Sequence, residues 1–451
     1  MNKVSKPSTG LRKRALALAA VLLATGASAQ AVSLQQAYEA ALKNDPTYRM
    51  NFYENEASKE NAIIGRAGLL PQVSASFSGS RNIADLEYTN TLIPQVPTHP
   101  RYISRSSSVQ LRQPILNLDA YVRYRQGKVQ TQQGAALFES NTNEVIIRVV
   151  SAYADALFAE DQVELSRVQR NLYLEQQKVN EHLFDKGEGT RTDTLETQAR
   201  LDLAEAQLIE AQDNASAMRN TLAGVIGMDP GQQDKLGPNL RVQQIAPANF
   251  DAWRATALEK NPELAASRLA IENARLDIQR NKAGHAPRVD FVASYSKGDA
   301  ESLNTYNQNT VNRTVGVQVN IPIYQGGAIN AYTRQSAATY ERARADFDVR
   351  SNRIMVDLRK SYDVVQNSVA KVGALEKAVE SGKLLMTATE QSIKGGIRIN
   401  LDLLNAQQQL YVSQRDLAQA RYNYLLGMLR LRGGAGTLDE SAVREVAAYF
   451  R

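Results

Sequence analysis

From Leu403 to Leu431 the chain carries a small or apolar residue at alternating steps of three and four: Leu403, Ala406, Leu410, Ser413, Leu417, Ala420, Tyr424, Gly427 and Leu431. A period near 3.5 predicts a helix that supercoils left-handedly against a neighbour. Between these positions stand Gln408, Gln409, Gln414, Arg415, Asp416, Gln419, Arg421 and Asn423, so the helix is wetted over much of its surface and is no membrane span. The same seam occurs 209 positions earlier as Leu201, Ala204, Leu208, Ala211, Ala215, Met218, Leu222 and Val225. The stretches leading into the two seams, 184–195 and 393–404, match as well. Each has a glycine, Gly187 or Gly396, to end one helix, and an aspartate, Asp193 or Asp402, in the first turn of the next. The chain reads as a duplication.

Elsewhere the period changes to two. Val73, Ala75 and Phe77 alternate with Gln72, Ser74, Ser76 and Ser78. In the second half Val289, Phe291, Ala293 and Tyr295 alternate with Arg288, Asp290, Ser294 and Ser296, with Val292 the exception. Returning strands follow, the cleaner one placing Val315, Val317, Val319 and Ile321 on one face and Gly316, Gln318 and Asn320 on the other. Each half therefore holds one hairpin whose strands approach the ~9–11 residues that cross a bilayer when tilted. Strands are predicted at about 71–81, 104–113, 287–297 and 313–322, and long helices at about 120–186, 190–226, 328–394 and 399–432. A helix over 120–184 would be roughly 100 Å long. The expected organisation is a first repeat at 30–228, a polar linker at 229–245, and a second repeat at 246–451 with a C-terminal segment from 433.

The formal charge of +6 suggests an anionic partner until its position is considered. Lys3, Lys6, Arg12, Lys13 and Arg14 precede an apolar run and then Ala27-Ser28-Ala29, the pattern of a secretory signal peptide over residues 1–29. Without that segment the balance is close to neutral, and nothing argues for nucleic acid. The chain has no cysteine, so neither disulfides nor a lipid anchor on a cysteine beside Gln30 is expected.

Four strands are too few to close a barrel, and a spanning sheet with free edges is forbidden in lipid. Several chains must then share one barrel, with the long helices forming a cylinder continuous with it. The residues that carry this pattern resemble the TolC family of bacterial outer-membrane channels over almost the whole chain beyond the leader. The most specific stretches are 396–407, 419–426 and 429–438, supported by 69–73 and by the paired helix ends at Pro46 and Pro262. The resemblance implies a homotrimer, with a twelve-stranded barrel in outer-membrane lipid and a coiled-coil-like α-helical tunnel in the periplasm. It also implies docking to a periplasmic adaptor and to an inner-membrane pump, either an ABC exporter or a proton-driven one. The gate would lie at the helix turns, 184–198 and 392–407. TolC-like sequences tend there to read Tyr-x-x-Gly-x-Arg-x-x-x-Asp-x-x-Asp; here the positions are Ile393, Gly396, Arg398, Asp402 and Asn405. One aspartate per protomer implies a cation-attracting constriction with a weaker field than the fuller pattern would give. Asp193 is placed to pair with Arg398 of a neighbour. The missing lipidation site and the ending that runs from Arg421-Tyr-Asn-Tyr424 to Gly436-Thr-Leu438 resemble the type I protein-secretion branch more than the lipid-anchored drug-efflux branch.

No catalytic role, cofactor or metal is expected. His99, His182 and His285 lack ligand spacing, and no phosphate loop or His-Glu-x-x-His motif is present. Two bland readings stand beside the channel: the aspartates could simply cap helices, and the seams could serve a structural or adhesion coiled coil without a pore. The matched hairpins and the leader argue against the second.

Overall fold

The computed structural model describes residues 32–85, 99, 101–237, 240, 242–300, 308–395 and 397–450. The predicted leader and Gly396 lie outside the described residues. In the first half come α1 (Leu34–Asn44), α2 (Pro46–Lys59), α3 (Asn61–Ala67), β1 (Gln72–Ile83), β2 (Arg101–Leu116), α4 (Leu118–Asp185) and α5 (Arg191–Ile226). The order recurs as α6 (Phe250–Lys260), α7 (Pro262–Lys282), β3 (Arg288–Ala300), β4 (Gln308–Asn320), α8 (Ala328–Lys394) and α9 (Asn400–Ala435), closed by α10 (Glu440–Ala447). The chain divides into two compact units, each drawing on both halves. One comprises Asn51–Ser140 and Pro262–Arg353; the other comprises Asn141–Asn261, Ile354 onward and the described residues up to Met50. Helices α4 and α8 contribute to both.

The first unit contains one antiparallel sheet in the order β1-β2-β3-β4. Pairing of β2 with β3, for example Val109 opposite Tyr295, joins the two hairpins. Register sorts the side chains cleanly, because residues directly opposite one another share a face. One face carries the row Val73, Leu111, Ala293 and Val315, flanked by Ala75, Val109, Phe77, Phe291 and Val317. The other carries Ser74, Gln110, Ser294 and Thr314, then Ser76, Ser108, Ser296 and Asn312. Its hydroxyls bond across the strands, Ser76 to Ser108 at 2.8 Å and Ser80 to Ser104 at 2.7 Å. Among the described residues nothing covers the apolar face: Phe77 is 74% exposed and Val315 72%.

The second unit is helical, and its core holds Tyr153, Leu157, Leu222, Leu358, Leu425 and Val443. Sequence chemistry sets the helix starts. Ser33 and Gln36 form a capping box on α1. Asp45 and Asn261 each precede a proline and are held out of the helical region, at ψ 117° and 120°. The predicted seams face inward: Leu403, Ala406, Leu410, Ala420, Tyr424 and Leu431 of α9 are all buried, as are Leu358, Tyr362, Val365 and Val372 of α8. On α4 the seam behaves differently along its length. Ile146, Val149, Tyr153 and Leu157 are fully buried, whereas Val168 and Val179 are about half exposed. A straight helix drifts against a 3.5 repeat, so a seam loses its own neighbours unless another chain supplies them.

Candidate functional site at the helix turns

The helix turns lie within the helical unit. Helix α4 ends where Gly187 takes a left-handed conformation, φ +77°, and the Glu188 and Gly189 amides return to the Leu183 carbonyl at 2.9 and 3.1 Å. Thr190 then caps α5. Its hydroxyl accepts from the Asp193 amide at 3.1 Å and donates to the Asp193 carboxylate at 2.6 Å, and its own amide donates to that carboxylate at 3.3 Å. Asp193 is thus half of a capping box, with Oδ2 engaged and Oδ1 left over. The second turn lacks this device. Ile399 stands at the cap of α9 with no side-chain oxygen, and only the Asp402 amide returns to its carbonyl, at 3.1 Å.

Asp402 is half-buried in the first turn of α9, while Arg398 is exposed in the loop before it. Asn405 is exposed, and its side-chain oxygen accepts from Arg200 of α5 at 3.1 Å. Asp193 and Arg398 line one groove of about 750 Å³, together with Leu172, Val179, Ile393 and Gln407. Glu390 and Lys394 on its wall pair at 2.9 Å. Gln407 is buried, and its Oε1 has no hydrogen-bond partner among the described residues.

Beneath the turns lies a polar cluster that seam reading passed over. The buried Thr197 hydroxyl accepts from Asn180 at 2.7 Å and from Asn400 at 3.2 Å, and donates to the Asp193 carbonyl at 2.8 Å. Gln176 donates to both Asn180 and Asn400, at 3.0 and 2.9 Å. The cluster ties α4, α5 and α9 together, and its signal was available: Thr197 falls one seam step before Leu201, where an apolar residue is the norm. A polar residue at such a position fixes register at some cost in stability.

Further along the bundle, Tyr422 donates to Asp161 at 2.9 Å. Burial pushes the Asp161 carboxyl up from its ordinary value; the Tyr422 hydrogen bond and Lys235 pull it partly back. Burial likewise raises Asp155, which Arg430 offsets in part. No group of histidine, cysteine and acidic side chains among the described residues has the arrangement to hold a metal ion.

An antiparallel sheet with one apolar and one hydroxyl face, in a chain with helices of 68 and 67 residues, is the architecture of an outer-membrane channel. The chain belongs to the outer membrane efflux protein family, whose model it matches in two segments, 37–228 and 253–437. It is 40% identical to the alkaline protease secretion protein AprF of Pseudomonas aeruginosa, over 96% of this chain and 90% of that protein. It is 34% identical to the proteases secretion protein PrtF of Dickeya chrysanthemi, over 98% and 96% of the two chains. The crystal structure of the outer membrane protein VceC from Vibrio cholerae superposes with a TM-score of 0.76 at 16% identity, covering 89% and 96%. That likeness shows the fold.

Proposed function

We propose that the protein is the outer-membrane duct of a type I secretion system that exports proteases or similar polypeptides. The observation that carries this reading is the 40% identity to AprF along almost the whole chain. Three copies assemble: four strands per chain with unpaired outer edges at β1 and β4 cannot close alone, and twelve can. The sequence repeats, 30–228 and 246–451 joined by 229–245, supply one hairpin and one pair of long helices each. A periplasmic adaptor and an inner-membrane ABC exporter complete the path. The groove at the turns, where the Gln407 carbonyl has no partner among the described residues and Val179 is exposed, offers such a partner or a neighbouring protomer a hydrogen-bond acceptor and an apolar contact.

In the trimer the three Asp402 carboxylates converge as the constriction, with Asn405 one turn further on and Arg398 reaching Oδ1 of a neighbour's Asp193. Gly187, at positive φ, shapes the first turn. The reading is tested by expressing the protein with the ABC exporter and adaptor of a protease-secreting system that lacks its own outer-membrane component. Extracellular protease should be restored; restored drug resistance without protease export would favour efflux instead. In planar bilayers, Asp402→Ala should lower cation selectivity and Asp193→Ala should raise open probability. Pores indifferent to both substitutions would remove the gate from these residues.

A further inference from the structure

The charged residues of the sheet are segregated by face. Arg81, Arg101, Arg105, Lys297 and Arg313 all occupy the apolar face, and all are exposed. A single acid, Asp299, joins them, directly opposite Arg105. On the hydroxyl face the described strand residues carry charge only as Arg112, Asp290 and Arg288, at the end of the sheet next to the helices.

The cations also fall at one end of their face. In the register, Val73, Leu111, Ala293 and Val315 form a wholly apolar level. The next level toward the loops pairs Tyr295 with Arg313, whose guanidinium lies 5.9 Å from the ring centroid. Beyond it come Lys297, then Arg105, then Arg81 and Arg101. An apolar band thus gives way, past Tyr295, to a belt in which cations stand among Phe77, Val311, Ile103 and Ile83 on the surface that meets lipid. A cation at mid-bilayer on that surface is strongly disfavoured, whereas one at the headgroup level is tolerated and can bind an anion.

We propose that this belt is a binding site for the phosphate groups of anionic lipid in the outer leaflet, the leaflet at the loop end of the strands. Guanidinium groups are suited to phosphate because their forked donors bind it bidentately. Five cations against one acid among the described residues of this face is charge complementarity to a phosphate-bearing headgroup, whose acyl chains would lie on Val73, Leu111, Val315 and Val317. The inference rests on the outer-membrane reading, and its test keeps the two separable.

The detergent-extracted protein is titrated with lipid A, a bis-phosphorylated glycolipid, with its dephosphorylated form and with inorganic phosphate, and bound lipid is counted by native mass spectrometry. Lipid A should remain bound and raise the melting temperature, while the dephosphorylated lipid and free phosphate should not. The triple variant R105Q/K297Q/R313Q should lose at least tenfold in affinity for lipid A while conducting normally in neutral bilayers, which certifies its barrel. R105Q alone should lose a smaller factor if the triple variant assembles poorly. Exposed helix cations changed in R275Q/R344Q should have no effect. Equal retention of lipid A by native and triple-variant protein, or equal binding of the dephosphorylated lipid, would overturn the site without touching the channel.

Discussion

Gly227 and Gly436 close α5 and α9 in the same left-handed conformation, φ +69° and +71°, 209 positions apart. Each sits against the corresponding helix end of its own half. The Asn44 amide donates to the Ile226 carbonyl at 3.1 Å beside Gly227, and the Asn261 amide donates to the Gly434 carbonyl at 2.9 Å beside Gly436. The duplication therefore extends from a repeated pattern to a repeated joint.

The two joints should not tolerate a methyl group equally. A Cβ at Gly436 would lie 2.4 Å from the Lys260 carbonyl oxygen and 2.7 Å from the Asn261 Cα, all backbone; at Gly227 its nearest neighbour is the Asn44 Cβ at 2.5 Å. Left-handed geometry alone costs a non-glycine residue about 1–2 kcal/mol. Gly436→Ala should exceed that and lower the melting temperature more than Gly227→Ala does. Equal melting of the two variants would mean the Lys260 segment gives way easily.

Thr197→Val keeps the shape of the side chain but strips the acceptor from Asn180 and Asn400. Leaving buried donors unmet costs about 1–3 kcal/mol. Amide exchange should accelerate at residues 176–200 and 400–407, with little change near Tyr153, and Thr197→Ser should restore protection. Unchanged exchange in the valine variant would show that the three helices are held by apolar packing alone.

These joints and the cluster mark what a sequence can and cannot disclose. The hairpins were legible because Val315 and its kin alternate with polar neighbours, and a period of two admits one arrangement of faces. The seams of α8 and α9 were legible for the same reason at a period of 3.5. The strand ends were not, and β2 begins at Arg101, three residues before its expected start. Thr197 was passed over, since a lone hydroxyl one step before an apolar seam says nothing about which distant amides it meets. Asp193 was readable both as cap and as gate. The spacing Thr190-x-x-Asp193 is a capping box within one chain, whereas a partner on another chain leaves no mark in local spacing. The helix at Glu440–Ala447 was passed over because a short amphipathic turn carries too few periods to stand out.

Asp161 should make stability depend on pH. Burial raises its folded-state value above that of the unfolded chain, so the folded protein binds this proton more tightly. Stability from this site is greatest in acid and falls as pH rises through and above the ordinary carboxylate range, about pH 4. Asp161→Asn should therefore melt at or above the native temperature near neutrality, with the advantage vanishing toward acid. Tyr422→Phe should act oppositely at neutrality, costing about 1–3 kcal/mol by stripping the donor from the carboxylate. A melting difference between D161N and native protein that grows toward acid would reverse the sign and refute the account.

The two faces of the sheet make the sharpest test of the barrel, because Thr314 and Val315 are chain neighbours with opposite surroundings. Thr314 stands opposite Ser294 in the hydroxyl layer, and Val315 opposite Ala293 in the apolar one. In a shared barrel the apolar layer meets lipid and the hydroxyl layer lines the lumen. Val315→Arg would then place a charge in hydrocarbon at a cost of about 2–4 kcal/mol per chain, incurred three times in a trimer, and should sharply reduce the amount of protein recovered from the outer membrane. Thr314→Arg should assemble normally, since its charge stays in water, and should shift the open pore toward anions because the described mid-sheet wall is otherwise uncharged. Normal assembly of V315R together with loss of T314R would require the sheet to face the other way.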